Sequence, residues 1–362
     1  MKHRAPHASA CQPGAHPSPA ACTLRRQLLL GLALTPWVGA ARAQAEAAVP
    51  TAPGVAAPAA SAAGAVAPSA APLFSALDLD WVDTARQRAV PVRLYRPAGA
   101  AASAGTPQPL VVFSHGIGGS RRGYSYLGQH FASLGWASLH LQHVGSDRAV
   151  WSGNPFQVVG RLQAAAQEAE AVARVLDLRF ALDTLLASPL GEAVDRRRIA
   201  AAGHSYGANT TLLAAGARVQ REGAWRSYQD PRVQAAIVLS APPFYGEASA
   251  VDILSPITVP SLHITTRQDV IRIPGYYSGL DDRLAVYQAM GGPHKTLAVF
   301  KEGSHSVFTD RVHHPALKQA TQALAQAFLQ QVFEGRPQAL VAWPQRHAAL
   351  VAQFDQAGGA AV

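Results

Sequence analysis

The chain has 362 residues, 49% of them hydrophobic and 15% charged, with a formal net charge of +9 at neutral pH. Five basic residues and no acidic residue lie in segment 1–43; without those five, the 31 basic residues become 26 against 22 acidic, a net charge of +4. The remaining basic residues are scattered and form neither a basic helix nor a pattern interleaved with aromatic residues. Nucleic acid is therefore excluded as an expected partner.

Segment 1–43 has the features of a secretory signal peptide. Arg25 and Arg26 precede a short apolar run over 28–38, and Ala41-Arg42-Ala43 provides a small-residue cleavage site. The apolar run is too short to cross a bilayer. We predict an exported protein, periplasmic or extracellular. The paired arginines are similar to a twin-arginine export signal, and both that route and general secretion stay open.

The rest of the chain divides by composition into three parts. Segment 44–72 consists mostly of small residues and proline and buries too little apolar surface to fold, so we predict a disordered linker. Segment 73–335 is predicted to be a single folded domain, and 336–362 a C-terminal helix or tail. Both cysteines, Cys11 and Cys22, lie in the signal segment, so 44–362 has no cysteine nucleophile, disulfide or thiolate metal site. No transmembrane span is expected after the signal segment.

Strands and helices alternate through the domain. Several predicted strands are uninterrupted apolar runs, which is typical of a mainly parallel sheet covered by helices on both faces. The fold class is therefore predicted to be α/β. The predicted strands are 78–81 and 90–95, as a hairpin, then 110–113, 137–141, 198–202, 235–239, 261–265 and 296–300. The predicted helices are 124–134, 155–187 in one or two pieces, 208–219, 282–290 and 315–333.

The sequence Gly203-His204-Ser205-Tyr206-Gly207 lies between a predicted strand and a predicted helix. In this context G-x-S-x-G is the signature of a nucleophile elbow, in which a tight turn presents the serine hydroxyl above the sheet. The alternative is a glycine-rich turn in which the serine caps the helix. We predict that Ser205 is a nucleophile.

Polar residues follow several of the predicted strands, where the carboxyl ends of parallel strands meet. Ser205, Asp269 and His305 occur in the chain order Ser, Asp, His that is typical of α/β-hydrolases. A serine hydroxyl needs a base, for which His305 is the candidate, and Asp269 would orient that base. The competing residues are His115, His140, His143, His204, His313, His314, Asp252, Asp281, Asp282 and Asp310.

An oxyanion needs two amide donors already in place. We predict the backbone N–H groups of Tyr206, directly after the nucleophile, and of Ile117, in the glycine-rich loop after the strand 110–113. The chain has no dinucleotide or P-loop motif and no metal-ligand spacing, so no cofactor and no metal are expected. Asp177 and the arginines around it are predicted to form structural ion pairs.

The motifs taken together resemble the bacterial predicted dienelactone hydrolase group, which is related to platelet-activating factor acetylhydrolases. The resemblance extends over about residues 80–333. It implies the α/β-hydrolase fold and a serine carboxylic-ester hydrolase with its triad on Ser205, Asp269 and His305. True dienelactone hydrolases use cysteine, so the serine argues against a dienelactone substrate. The matching motifs are VFSHGIGGSRRGY at 112–124, LGW at 134–136, HVGSD at 143–147, GHSYG at 203–207, RQD at 267–269 and GSHSVF at 303–308.

The predicted function is that of an exported serine hydrolase that cleaves a small-molecule or lipid-like carboxylic ester through an acyl-enzyme on Ser205. Two alternatives remain. The same triad serves amidases, peptidases and acyltransferases, because pocket shape and water access decide among them. The fold also permits a non-catalytic binding protein. The oligomeric state is left open.

Overall fold

The structure, a computed structural model, describes residues 72–102, 105–244, 248–273 and 276–357. The predicted signal segment 1–43 and all but the last residue of the predicted linker lie outside the described residues. All described residues except Ile273 and Tyr276 belong to the first of two compact units of the chain.

A nine-stranded sheet forms the centre of the first unit, with strand order β1-β2-β4-β3-β5-β8-β9-β12-β13. The six strands from β4 to β12 in this order pair in parallel, and antiparallel pairing occurs only toward the two edges of the sheet, at β1–β2, β2–β4 and β12–β13. The strands are β1 (Phe74–Asp83), β2 (Arg88–Pro97), β3 (Gln108–Ser114), β4 (Ala137–Leu141), β5 (Val194–His204), β8 (Ala235–Leu239), β9 (Ser261–Gln268), β12 (Lys295–Ser304) and β13 (Val351–Ala357).

Helices cover both faces of this sheet. They are α1 (Ser125–Ser133), α2 (Pro155–Ala165), α3 (Glu168–Ala187), α4 (Tyr206–Ala215), α5 (Ala250–Leu254), α6 (Leu280–Ala289), α7 (Pro315–Glu334) and α8 (Gln338–Arg346). Short 3-10 helices lie at Gly99–Ala101, Arg148–Trp151, Pro189–Gly191 and His305–Phe308.

Strand β3 shows why its apolar run becomes a central strand. Successive side chains of a strand point to opposite faces, so a strand that is covered on both faces must be apolar throughout. Leu110 and Val112 belong to a core with residues of α3 and α4, whereas Val111 and Phe113 belong to a second core with residues of α1 and α7. The α/β prediction, with a mostly parallel sheet and helices on both faces, is confirmed.

Two strand pairs that the sequence does not predict lie outside the main sheet. β6 (Arg218–Arg221) and β7 (Ala224–Ser227) form a hairpin directly after α4, and β10 (Ile271–Ile273) and β11 (Tyr276–Ser278) form another. The sequence predicts a helix up to residue 219, but α4 ends at Ala215. No side chain of β6 or β7 is buried, so the periodicity of buried residues on which the predictions depend is missing from this hairpin.

The C-terminal segment also differs from the expected helix or tail over 336–362. Helix α8 is followed by β13, which pairs antiparallel with β12 as an edge strand of the main sheet. Trp343 of α8 is buried, donates a hydrogen bond from Nε1 to the carbonyl of Ala320 (3.0 Å) and packs against the ring of Phe354 in β13 (5.6 Å). The segment is therefore part of the domain, because this one tryptophan joins α7, α8 and β13.

None of the helices within the described ranges is long and apolar enough to cross a membrane.

Five histidines are buried in the described part of the chain, and burial lowers the pKa of each. The pKa falls to about 4 for His140 and to about 3 for His204 and His263. For His115 and His143 burial and the positive charge of Arg174 hold the pKa well below 6.5. All five are therefore neutral in the folded protein near neutral pH, whereas the unfolded chain takes up protons on them below about pH 6.5.

We expect the free energy of unfolding to fall as the pH is lowered from 6.5 towards 4. Stability rises with pH wherever the unfolded state binds more protons, by up to about 1.4 kcal/mol per pH unit for each such histidine. Urea unfolding at several pH values measures this slope. The variant His263→Phe removes one such group, which contacts Met290, and should flatten the slope by about one proton.

The matched control is His313→Asn, because His313 is exposed and should leave the slope unchanged. Equal slopes for wild type and His263→Phe would show that burial does not keep His263 neutral.

Candidate active site

Ser205 occupies a strained turn between β5 and α4. Its backbone has φ 55° and ψ −122°, a conformation that costs a residue with a side chain of the order of 1–3 kcal/mol. Two hydrogen bonds hold this turn, from the Ser205 amide to the Leu239 carbonyl (2.9 Å) and from the Ala208 amide to the Ser205 carbonyl (2.8 Å). The Ser205 side chain makes no capping hydrogen bond to α4. The helix-cap alternative is therefore wrong, and the hydroxyl remains available for other partners.

The glycines on either side of Ser205 allow close backbone packing. A Cβ atom on Gly207 would lie 1.9 Å from the carbonyl oxygen of Ser114 at the end of β3, and one on Gly203 would lie 2.1 Å from the carbonyl oxygen of Gly207. Real Cβ atoms do not approach backbone oxygens so closely. The G-x-S-x-G pattern thus lets the elbow press against β3, from which the loop with Ile117 departs.

Ser205, His305 and Asp269 form a continuous hydrogen-bonded chain. The Ser205 hydroxyl lies 2.8 Å from Nε2 of His305, and Nδ1 of His305 lies 2.6 Å from Oδ1 of Asp269. Asp269 directly follows β9 and His305 directly follows β12, and these two strands are parallel neighbours. Both residues therefore reach the same edge of the sheet as the elbow. The structure brings together the three residues that the sequence predicts as a triad.

The carboxylate of Asp269 is fully buried and fully engaged. Oδ2 accepts a hydrogen bond from the hydroxyl of Thr265 (2.7 Å), and Oδ1 lies 3.3 Å from the Arg283 guanidinium, which α6 supplies. Burial alone would raise the pKa of Asp269, but the hydrogen bond from His305 and the charges of His305 and Arg283 hold it well below its usual range. Asp269 is therefore ionised, accepts the Nδ1 proton of His305 and leaves Nε2 free to accept from Ser205.

The glycine-rich loop 115–119, which carries Ile117 and is called the oxyanion loop after its predicted role, passes directly beside Ser205. A Cβ atom on Gly116 would lie 3.2 Å from Cβ of Ser205, so the backbone there is in van der Waals contact with the serine. Tyr206 is the first residue of α4, and the first amides of a helix have no partner within it. No acceptor among the described residues takes a hydrogen bond from the amide of Tyr206 or Ile117. The predicted oxyanion donors thus flank Ser205 and are unengaged.

His115 anchors this loop and is not a base for Ser205. Its Nδ1–H donates to the carbonyl of Gly116 (2.7 Å), and Nε2 accepts from the amide of His143 (3.1 Å). The next turn of the loop is fixed by the Gly118 amide, which donates to the carbonyl of Ser146 (2.8 Å). Both ring nitrogens of His115 are occupied, so its part is to hold the shape of the oxyanion loop.

His204 is also excluded as the base, although its ring packs on that of His305 at 4.8 Å. Nε2 donates to the carbonyl of His305 (2.9 Å), since a carbonyl can only accept, and Nδ1 therefore accepts from the hydroxyl of Tyr124 (2.8 Å). The Tyr124 hydroxyl in turn accepts from the amide of Gly116 (3.3 Å). Through Tyr124 and His204, the oxyanion loop is connected to the backbone of His305.

Removing this connection should slow catalysis without unfolding the protein. In Tyr124→Phe the Gly116 amide and Nδ1 of His204 lose their shared partner, so we expect the unfolding free energy to fall by about 1–2 kcal/mol. We expect kcat for a p-nitrophenyl ester to fall about tenfold, which corresponds to about 1.4 kcal/mol of transition-state stabilisation.

The neighbouring variant Tyr126→Phe is the matched control, because the buried Tyr126 hydroxyl has no hydrogen-bond partner among the described residues. Its kcat should stay within about twofold of wild type. A Tyr124→Phe enzyme that is as fast as Tyr126→Phe would show that the connection does not contribute to catalysis.

In the described part of the chain, none of the other competing residues makes a side-chain hydrogen bond to Ser205. Nδ1 of His314 accepts from the Leu317 amide at the start of α7 (3.3 Å), and Asp310 accepts from the Ser125 amide at the start of α1 (2.8 Å). His140 lies in the core, His313 is exposed, Asp252 lies in α5, and Asp281 and Asp282 lie in the first turn of α6. Within the described ranges, no three His, Cys, Asp or Glu side chains are grouped to hold a metal ion.

The sequence does not point to several residues that complete the site. Thr265 and Arg283 satisfy Asp269, Tyr124 joins two loops, and Arg311 donates a side-chain hydrogen bond to the Gly118 carbonyl (3.2 Å). Thr265 lies near the end of β9, Tyr124 and Arg283 lie at or near the start of a helix, and Arg311 lies in a turn, so no local pattern marks them as parts of a site. Only the tertiary fold brings them to the triad.

The chain is similar in part to one protein family and in its fold to a solved esterase structure. A family model for platelet-activating factor acetylhydrolase, isoform II, matches residues 88–154, which extend from β2 through the oxyanion loop to the segment before α2. A ferulic acid esterase from Streptomyces cinnamoneus has a similar structure, with a TM-score of 0.55 and 23% sequence identity over 75% of this chain and 93% of that chain. No curated protein matches the chain significantly.

The structural similarity to the esterase shows the fold, and the family match covers the segment that carries one predicted oxyanion donor. The chain therefore has the α/β-hydrolase fold, and Ser205, His305 and Asp269 are joined at the sheet edge in the hydrogen-bonded arrangement of a serine hydrolase triad.

Proposed function

We propose that this protein is an exported esterase that cleaves carboxylic esters in two steps through an acyl-enzyme on Ser205. The hydrogen-bonded chain from Ser205 through His305 to the buried Asp269 carries this proposal. Export rests on the signal-peptide pattern of segment 1–43, with a periplasmic or extracellular location.

In the first step, Ser205 attacks the ester carbonyl while Nε2 of His305 takes the hydroxyl proton. Asp269 stabilises the imidazolium that forms, because its carboxylate is already ionised and accepts from Nδ1. The carbonyl oxygen becomes negative and is held by the amides of Ile117 and Tyr206. His305 then returns its proton to the alcohol oxygen, and the alcohol leaves.

In the second step, water attacks the acyl-enzyme. His305 takes a proton from the water, the same two amides hold the second oxyanion, and the proton returns to Ser205 as the carboxylic acid departs. Every protein group that these two steps require belongs to this chain, and no cofactor enters either step.

The substrate we propose is a small-molecule or lipid-like ester. The matched family model is named for an acetylhydrolase and the matched structure for a ferulic acid esterase, so both names denote hydrolysis of a carboxylic ester. Trp151 supports an apolar acyl or alcohol group, because its ring packs on Gly118 of the oxyanion loop and is 48% exposed.

The test combines a covalent probe with a substrate panel. Purified protein should react with one equivalent of a fluorophosphonate, and mass spectrometry should place the adduct on Ser205. It should hydrolyse p-nitrophenyl acetate, p-nitrophenyl octanoate and methyl ferulate faster than the matching amides. No adduct and no ester turnover would reject an esterase. Faster cleavage of the amides would reject the ester as substrate while keeping the triad.

A further inference from the structure

A buried arginine lies beneath the active site and takes no part in the two steps above. Arg174 projects from α3 and is 0% exposed. Its guanidinium donates from Nε to the Thr210 hydroxyl (2.9 Å), from one terminal nitrogen to the Ser146 hydroxyl (2.8 Å) and from the other to the His115 carbonyl. All three acceptors are neutral oxygens. Arg174 is therefore not the member of a structural ion pair that the sequence predicts.

The carboxylate of Asp177, three residues after Arg174 in α3, pairs with other residues. Asp177 lies 2.9 Å from the guanidinium of Arg86 and 2.9 Å from that of Arg88, and it also accepts from Nδ1 of His143 (3.0 Å). Burial lowers the pKa of Arg174 to about 10, so it is still a cation at neutral pH. A buried cation without a carboxylate partner costs free energy that a methionine or leucine would not.

The partners of Arg174 all adjoin the two predicted oxyanion donors. The His115 carbonyl lies two residues before Ile117, and the Ser146 backbone carbonyl holds the Gly118 amide one residue after it. On the other side, the guanidinium lies over the Tyr206 ring at 4.5 Å. One planar group thus contacts one end of the oxyanion loop directly, the other end through Ser146, and the first residue of α4.

The contact with Thr210 ties the same group to the elbow helix. The Thr210 hydroxyl accepts from Arg174 and donates to the Tyr206 carbonyl (3.2 Å), so it links the guanidinium to the residue that carries the second donor. The three acceptors lie in different directions, which suits the fixed fork of a guanidinium and not the single ammonium of lysine.

We infer that Arg174 is a positioning residue that sets the distance between the Ile117 and Tyr206 amides, and so the fit of the oxyanion hole to the transition state. This inference rests on the proposed esterase function. It predicts that a substitution of Arg174 lowers kcat and leaves KM nearly unchanged, because the oxyanion is present in the transition state and not in the ground-state complex.

The experiment compares Arg174→Met and Arg174→Lys with wild type on p-nitrophenyl acetate. Active sites are first counted by fluorophosphonate labelling taken to completion, so that kcat is expressed per folded site. We expect kcat to fall about 100-fold in both variants, as for a misplaced or lost oxyanion donor, with KM within about threefold. Affinity for a trifluoromethyl ketone, which forms an oxyanion on serine, should fall by the same factor as kcat.

Arg88→Met is the matched control, since Arg88 pairs with Asp177 and Glu170 in the neighbouring network and does not contact the oxyanion loop. Its kcat per site should stay within about threefold even if its Tm falls. Arg174 variants that lower only Tm and the number of active sites, with kcat per site unchanged, would overturn the inference.

Thr210→Val settles the question if the Arg174 variants do not fold. It removes one of the three acceptors while preserving shape, and we expect a fall in kcat per site of about fivefold to tenfold. An unchanged kcat in Thr210→Val would then overturn the inference. Failure of wild type to label or to hydrolyse esters is a different result, because it rejects the proposed function before any variant is measured.

Discussion

Replacing Ser205 with alanine is expected to lower kcat for carboxylic esters by about a million-fold, the scale on which a catalytic serine is lost in other serine hydrolases. The Ser205 oxygen is the only atom that the mechanism bonds to the acyl group, and its proton is the one that Nε2 of His305, 2.8 Å away, takes in the first step. The elbow is held by backbone hydrogen bonds of Ser205 that alanine also makes, so the fold should persist.

The measurement uses purified Ser205→Ala with p-nitrophenyl esters, circular dichroism and Tm. Ser304→Ala is the control, because Ser304 is exposed, directly precedes His305 and makes no side-chain cap to the 3-10 helix that follows. Its kcat should stay within about twofold of wild type. Turnover by Ser205→Ala above about one part in ten thousand, unaffected by further purification, would mean that another group is the nucleophile.

The central strands of this fold are predictable from the sequence, because burial on both faces of a sheet requires runs of apolar residues. A strand that is covered on both faces, such as β3, is apolar over its central run 110–113, and a polar residue, Ser114, stands at the end near the site. Ser205, Asp269 and His305 are therefore recognisable by their place after such strands. Strand β13 is not recognisable in this way, because it is an edge strand whose side chains are partly exposed.

The residues that support the triad show why the remainder of the site is not predictable. Arg174 and Asp177 are three positions apart on one helix, a spacing at which a local ion pair is favourable. In the structure Asp177 binds two arginines near the start of β2, and Arg174 is left to the oxyanion loop. This pairing depends on residues about ninety positions away, and no local pattern encodes it.

Replacing Asp269 with asparagine is expected to lower kcat by about ten-thousand-fold while leaving the geometry nearly unchanged. The asparagine amide donates to Nδ1 of His305 at the position where the carboxylate accepts at 2.6 Å. The histidine proton then moves to Nε2, where it prevents acceptance of the Ser205 proton. Asp252→Asn, at an exposed position in α5, is the matched control and should keep kcat within about twofold.

Asp269→Asn should also lose stability, because it leaves the nearly buried Arg283 without its carboxylate partner, at a cost of about 3–5 kcal/mol. Urea unfolding at neutral pH measures the loss, and Asp252→Asn should show almost none. A variant with normal kcat would show that His305 needs no anionic partner and would remove Asp269 from the triad.

The pH dependence of this stability difference tests the charge of Asp269 independently of turnover. His305 and Arg283 hold the pKa of Asp269 well below its usual range in the folded protein, so the carboxylate stabilises the fold above its unfolded pKa of about 3.9. Below that pH the unfolded chain takes up a proton that the folded protein does not, and wild type loses this stability. Since asparagine does not titrate, the advantage of wild type over Asp269→Asn should shrink as the pH falls below about 4. An advantage that grows below pH 4 would mean that Asp269 is protonated in the folded enzyme and cannot stabilise an imidazolium.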